Sequence, residues 1–139
     1  MTIQTHTIQF STRGDADIVD ITDQVAACVS DTGLKGGIVT VFCPSSTSAL
    51  TTIEYESGVL SDLKRLFDQV APKGQVYQHD ARWGDGNGHS HVRAALLGPS
   101  LTVPFANRCL TLGTWQQIIF IDFDNRPRRR ELIVQVIGE

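Results

Sequence analysis

The spacing of apolar residues predicts one long amphipathic helix near the middle of the chain. Over Ser57–Val70 the apolar side chains recur at helical intervals and form a single stripe on one face. Pro72 follows and ends this helix, because the residue before a proline is disfavoured in helical conformation. Two shorter helices are predicted over Thr22–Ser30, with Thr22 as the cap, and over Asn87–Leu97. Each is followed by a glycine that can end a helix.

The other apolar segments are short and indicate strands. Gly37–Cys43 is a β-branched apolar run typical of a buried strand, and Ser48–Tyr55 alternates between two faces. Because strands predominate and connections are short, we expect one α+β domain over residues 1–139, a strand-dominated antiparallel β-sandwich with two or three flanking helices. The further predicted strands are Ile3–Phe10, Leu101–Phe105, Leu110–Leu112, Trp115–Phe123 and Glu131–Ile137.

The amino-acid composition indicates which partners the protein binds and in which compartment it lies. The chain is 41% hydrophobic, which is enough for a core, and its net charge of −3 comes without the basic stripe of nucleic-acid binders. No apolar run reaches the length of a membrane span, and the first residues lack the pattern of a secretory signal. The three widely spaced cysteines are typical of free thiols in a reducing compartment. We therefore expect a cytoplasmic protein that binds neither nucleic acid nor membrane.

The segment from His79 to Arg93 contains most of the candidate chemistry. It holds three of the four histidines, with acidic residues and glycines between them. Histidine suits proton transfer and metal ligation, and three imidazoles suit a divalent transition metal with an open position. A divalent metal, Mg²⁺ or Zn²⁺, is therefore a candidate cofactor. His79, His89 and His91 are thus one candidate metal set. His89 and His91 would share a face in a strand, but would point nearly opposite ways in a helix.

Two further segments favour an anion. Ser45, Ser46 and Thr47 follow a strand in a hydroxyl-rich turn that can face a phosphate, and the helix start near Asn87 favours negative charge. The arginine-rich run 126–130 could clamp a phosphate or carboxylate, although such runs are often solvated.

Two carboxylates remain as candidates. Glu54 ends a strand of threonines and apolar residues and can serve as a base or a ligand. Asp62 lies at the edge of an apolar helix stripe, where it either orients a histidine or contacts solvent.

Several motifs are spread along nearly the whole chain. They are Glu54, Asp62, the Y-x-H of Tyr77–His79, the S-H of Ser90–His91, the LLGPSLTVPF run of Leu96–Phe105, the LGTWQ of Leu112–Gln116 and an R-x-R near the end. With these motifs the chain resembles the YjbQ family, whose members are also described as secondary thiamine-phosphate synthases. Many members carry a histidine, in an H-T-T or H-T-S motif, at the position of Ser45.

The resemblance implies a jelly-roll β-sandwich and a homotrimer with polar pockets near the subunit interfaces. It also implies an activity that joins the pyrimidine diphosphate and thiazole phosphate halves of thiamine and releases pyrophosphate. On this basis Glu54, His79 and His91 are the candidate catalytic residues. The candidate substrate-binding residues are Ser45, Ser46, Thr47, Asp62, Asn87, Thr114, Gln116 and Arg128.

Three hypotheses follow for the function. The protein is an enzyme acting on a small phosphorylated molecule, a metal-dependent enzyme using its histidines with Glu54 as base, or a non-catalytic ligand-binding trimer. We expect His79, His91 and Glu54 to line one pocket that holds phosphate or pyrophosphate. Arg93 or the arginines after Asn125 would supply further donors.

Overall fold

In a computed structural model that describes residues 1–139, the chain forms eight strands and four helices. The longest helix has 14 residues, and none combines the length and hydrophobicity of a membrane-spanning helix. In chain order the elements are β1 (Thr2–Thr12), β2 (Asp17–Asp20), α1 (Thr22–Thr32), β3 (Gly36–Phe42), β4 (Ser48–Ile53), α2 (Ser57–Val70), α3 (Gln78–Trp83), α4 (Gly88–Leu97), β5 (Ser100–Ala106), β6 (Cys109–Leu110), β7 (Gln117–Asp122) and β8 (Arg128–Gly138).

The strands form two antiparallel sheets that share one core. The larger sheet has the order β1-β8-β3-β5-β6, and the smaller has the order β2-β7-β4. Phe10 of β1 and Phe120 of β7 meet edge to face, with ring centroids 5.2 Å apart. Phe120 belongs to a cluster of 16 buried residues, together with valines of β3 and β8 and with Val25 and Val29 of α1, and Phe10 packs against this cluster. Helix α1 therefore packs against the core that the two sheets enclose.

Helices α2 and α4 cover the other face of the small sheet. The apolar stripe of α2 contributes Phe67, whose ring lies 4.8 Å from that of Phe123, and α4 contributes Ala94. These residues pack on Ile119 and Ile121 of β7, while Phe120 faces the large sheet. Because β7 is covered on both faces, its sequence is a continuous apolar run rather than an alternating one.

The strand-dominated α+β class and the three predicted helices are confirmed. The jelly-roll connectivity is not established, because the sheets hold five and three strands and β5 lies beside β3 in the larger one. The pattern missed β2 and α3, which are too short to show a period. Thr22 is the first residue of α1 rather than its cap, since its hydroxyl bonds Asp20 and accepts the Ile118 N–H.

Antiparallel pairing brings three distant segments to one end of the sheets. Ser48 at the start of β4 pairs with Asp122 at the end of β7, and β8 starts at Arg128, opposite Thr12. The loop before β4, the β7–β8 connection and the start of β8 therefore meet at this end. The start of α4 joins them, because Asn87 Oδ1 accepts the N–H of Asn125 at 3.2 Å.

Candidate functional site

An open pocket of about 410 Å³ lies where these segments meet. Its volume is in the range of small-molecule sites. Its lining is almost entirely polar, with Pro44 as the one apolar residue, so it favours a polar or charged ligand. We call it the polar pocket; its lining residues are Pro44, Ser45, Ser46, Thr47, Asp85, Asn87, His91, Asp124, Arg128 and Arg130.

A buried ion pair forms the floor of the polar pocket. Arg130 donates two hydrogen bonds to the carboxylate of Asp122, from Nε to Oδ2 at 2.7 Å and from Nη2 to Oδ1 at 2.9 Å. The same Nη2 donates to the Thr47 hydroxyl at 2.9 Å, which fixes the loop before β4. Burial lowers the pKa of Arg130, but the contacts with Asp122 outweigh it and leave the pKa above its ordinary value. Asp122 therefore largely neutralises the charge of Arg130 inside the protein, and less of that charge is available to a ligand.

Arg128 is the cation of the polar pocket that remains more open to a ligand. Its side chain is one-third exposed; Nη2 lies 3.1 Å from Asp124 Oδ2, and Nε has no hydrogen-bond partner. Burial raises the pKa of Asp124, but bonds from Thr47 and Arg128 outweigh burial and hold it below its ordinary value. Asp124 thus stays ionised and positions Arg128.

The helix start is already partly occupied by a carboxylate. Asp80 Oδ1 accepts the N–H of Gly88, the first residue of α4, at 2.8 Å. The Asn87 side chain accepts from Ser90 and Asn125 and does not cap the helix. Hydroxyls, arginines and His91, rather than helix N–H groups, are therefore the main donors for an anion.

His79 and His91 lie side by side at the rim of the polar pocket. Their ring centroids are 4.4 Å apart, and His91 itself lines the polar pocket. His79 Nδ1 lies 3.2 Å from Asp85 Oδ1 and 3.5 Å from Asp80 Oδ1, but off the line of an N–H hydrogen bond. Two carboxylates therefore converge on one imidazole.

The structure does not bring His89 to the other two histidines. His89 and His91 both lie on helix α4, where residues two apart point nearly opposite ways. The side chain of His89 is buried and lies near Tyr77. Burial, followed by the nearby charge of Arg93, lowers the pKa of His89 below its ordinary value. The metal set of His79, His89 and His91 does not form. Arg93 is also buried, and bonds the carbonyl of Ala71.

Three other candidates lie at the far end of the small sheet. Strand β4, six residues long, separates Glu54 from the polar pocket by roughly 20 Å at about 3.3 Å per residue. Gln116 lines a second pocket of about 370 Å³ and donates to Thr52 at 3.0 Å, and Thr114 lies in the adjoining turn. Within one chain, the structure does not bring Glu54 to His79 and His91.

Asp62 belongs to neither pocket. It is exposed on α2 and forms an ion pair with Arg65, one helical turn away. It therefore orients no histidine within the chain.

The interpretation of the sequence missed the acidic residues beneath the polar pocket. Asp122 ends the apolar strand β7, Asp124 follows two residues later, and both are buried. Alternating positions of an extended segment share one face, so this spacing was the available signal. Asp85, one of the acidic residues between the histidines, also lines the polar pocket.

Comparison with known proteins agrees with the fold and with the sequence motifs. The family model described as "UPF0047 protein YjbQ-like" matches residues 6–139. The chain belongs to the YjbQ family. The predicted resemblance is thus confirmed over nearly the whole chain.

The relatives of this YjbQ protein are similar along almost their full length. A UPF0047 protein of Archaeoglobus fulgidus is 42% identical over 87% of this chain and 91% of its own. One of Methanothermobacter thermautotrophicus is 39% identical over 100% and 95%. The crystal structure of a YbjQ-like protein of unknown function from Sulfolobus solfataricus has a TM-score of 0.94, at 31% identity and 99% coverage of both chains.

Proposed function

We propose that this YjbQ protein is an enzyme whose polar pocket binds the phosphate groups of a small phosphorylated molecule. The observation that carries the proposal is the polar pocket itself, in which Arg128, His91 and two serine side chains line a space whose only apolar residue is Pro44. A planar guanidinium can donate two hydrogen bonds to a phosphate, and hydroxyls add neutral donors. The Ser45 hydroxyl is held in place because it accepts the Thr47 N–H at 3.2 Å.

The family resemblance suggests the reaction to test first, thiamine-phosphate synthesis. The bond between the pyrimidine methylene carbon and the diphosphate oxygen breaks, and a bond from that carbon to the thiazole nitrogen forms. Negative charge develops on the departing pyrophosphate. Arg128 and a protonated His91 are the groups of the polar pocket that would stabilise this charge. Ser45 stands where many members carry histidine, so His91 takes the larger share of proton transfer in this proposal.

A homotrimer would complete the set of site residues. Glu54, Thr114 and Gln116 lie at the end of the small sheet opposite the polar pocket, so only a neighbouring subunit could bring them to His91. Exposed Ile38 and Phe42 on the outer face of the large sheet are also consistent with association.

Light scattering at micromolar concentration should therefore give about three times the chain mass of 15.2 kDa. A subunit interface would cover the apolar side chains that a single chain leaves exposed. A monomer mass under these conditions would contradict the trimer and leave Glu54 outside the site.

Phosphate binding should depend on Arg128 in calorimetric titration with pyrophosphate. We expect Arg128→Met to weaken binding about 10- to 100-fold, because a hydrogen bond to a charged group contributes about 1.5–3 kcal/mol. Arg126→Met is the matched control, since Arg126 is exposed and lies outside the polar pocket. Absence of pyrophosphate binding, with or without added metal, would overturn the proposal. Binding without turnover of any phosphorylated substrate would make the protein a binding module.

A further inference from the structure

We propose that His79, Asp80 and Asp85 bind one divalent transition-metal cation at the rim of the polar pocket. Their ligand atoms all lie within 4.8 Å of one another. Metal–ligand bonds of about 2.0–2.2 Å place neighbouring ligand atoms about 3–3.5 Å apart. The distances from His79 Nδ1, 3.2 Å to Asp85 and 3.5 Å to Asp80, fit this spacing without a change of fold.

The surrounding backbone holds these three side chains in place. Helix α3 carries His79 and Asp80, and ends at Gly84, whose φ of 66° turns the chain back. Gly86 has the same left-handed φ, so Asp85 is held between two turns that favour glycine. The Gly88 N–H bonds Asp80 Oδ1 at 2.8 Å, as hydrogen bonds orient carboxylate ligands in metal sites.

The surroundings of the His79 imidazole fit a bound cation better than an ion pair between His79 and the two carboxylates. His79 Nδ1 is a buried atom without a hydrogen-bond partner, although two carboxylate oxygens lie near it. A cation between the three ligands would satisfy the nitrogen lone pair and both carboxylates together. One nitrogen with two carboxylates suits Mn²⁺, Fe²⁺ or Zn²⁺ better than Mg²⁺, which prefers oxygen ligands and water.

If the polar pocket binds phosphate, as proposed above, its charges indicate that the cation would help to bind that phosphate. Asp85 and Asp124 balance Arg128 and Arg130 in the lining, so a phosphate would meet little net positive charge there. A dication on Asp85 would make the rim positive and could contact a phosphate oxygen directly. The site therefore favours a metal-bound phosphate or diphosphate over the free anion.

The first test measures the cation alone, without phosphate. Chelator-treated protein titrated with Mn²⁺, and followed by electron paramagnetic resonance, should bind one ion per chain. His79→Gln and Asp85→Asn should each weaken binding at least about 10-fold, since even residues that only orient ligands have effects of that size. His6→Gln and Asp62→Asn are matched controls away from the site, His6 being partly buried on β1 and Asp62 exposed on α2. Asp80 is left intact because it also caps α4.

Two outcomes of this titration would overturn the cation site. These are no bound Mn²⁺ in the unaltered protein, and equal binding in all four variants. Both ligand side chains are partly exposed, so the variants should fold, which a thermal melt would verify.

The second test separates the cation from the proposed function. The protein is titrated with pyrophosphate, once in the presence of chelator and once in the presence of Mn²⁺. The same titrations of the His79→Gln variant correct for complexes of Mn²⁺ with pyrophosphate that form in solution. Affinity at least about 10-fold higher with Mn²⁺ supports both proposals. Mn²⁺ binding without any pyrophosphate binding keeps the cation site and rejects the proposed function. Pyrophosphate binding with no Mn²⁺ effect overturns the role of the cation and leaves the proposed function standing.

Discussion

Replacing Arg130 with methionine should lower the free energy of unfolding by about 3–5 kcal/mol, the usual cost of removing one partner from a buried ion pair. Arg130 is the only side chain that pairs with the carboxylate of Asp122 in a salt bridge, and Asp122 is fully buried. The substitution leaves that charge without a counterion in the core. Chemical denaturation followed by circular dichroism measures the change.

Arg129→Met provides a matched control for this prediction. Arg129 is the next residue, but it points to the outer face of the large sheet, where it contacts only Gln9. Its loss should change stability by less than about 0.5 kcal/mol. The double variant Arg130→Met, Asp122→Leu should recover part of the loss, because the Asp122 carboxylate is then no longer buried without a counterion. An Arg130→Met protein as stable as Arg129→Met would show that water already reaches Asp122.

Replacing His91 with asparagine should reduce the rate of the proposed reaction about 100- to 10,000-fold, the range for loss of a general acid. His91 is the only histidine that lines the polar pocket, and its ring stacks beside His79. Asparagine retains a hydrogen-bond donor but cannot exchange a proton at neutral pH. Formation of thiamine phosphate from the two phosphorylated halves provides the assay.

The control for the His91 prediction is His6→Asn on β1, a strand that contributes no residue to the polar pocket. Its rate should equal that of the unaltered protein. Pyrophosphate affinity should fall less than the rate in His91→Asn, because Arg128 and the serines remain. A His91→Asn rate above one-tenth of the original would show that another group transfers the proton.

Local periodicity was sufficient for the longer elements of this fold. The apolar spacing over Ser57–Val70 predicted the bounds of α2, because helix geometry repeats over neighbouring residues. Leu60, Leu63 and Phe67 of its stripe pack on the small sheet, whereas Leu66 and Val70 stay exposed. The apolar run that forms β7 was likewise sufficient to predict a strand. Residues 78–83 and 17–20 form elements of only six and four residues, which contain too few repeats to be recognised.

The sequence also indicated several parts of the candidate site. Three parts of the site were selected from their residue types: the serine turn, Asn87 with His91, and Arg128. The structure places all of them in the polar pocket. Glu54 was selected from its place at a strand end and from the family motifs, and Gln116 from the family motifs; within one chain they lie elsewhere. Motifs record which residues recur in a family but carry no distance between them.

By itself, the sequence of this YjbQ protein determined its longer helices and strands, its family and the chemical types of its site residues, because these depend on neighbouring residues or on motifs. Only the tertiary structure decided which candidates meet. The pairing of Ser48 with Asp122 joins segments more than 70 positions apart, and this brings the serine turn to Arg128. The helical start of α4 separates His89 from His91, and Asp122 engages Arg130 inside the core. Contacts between distant segments depend on the whole fold, so a local pattern can indicate that an element is buried but not which other segment it meets.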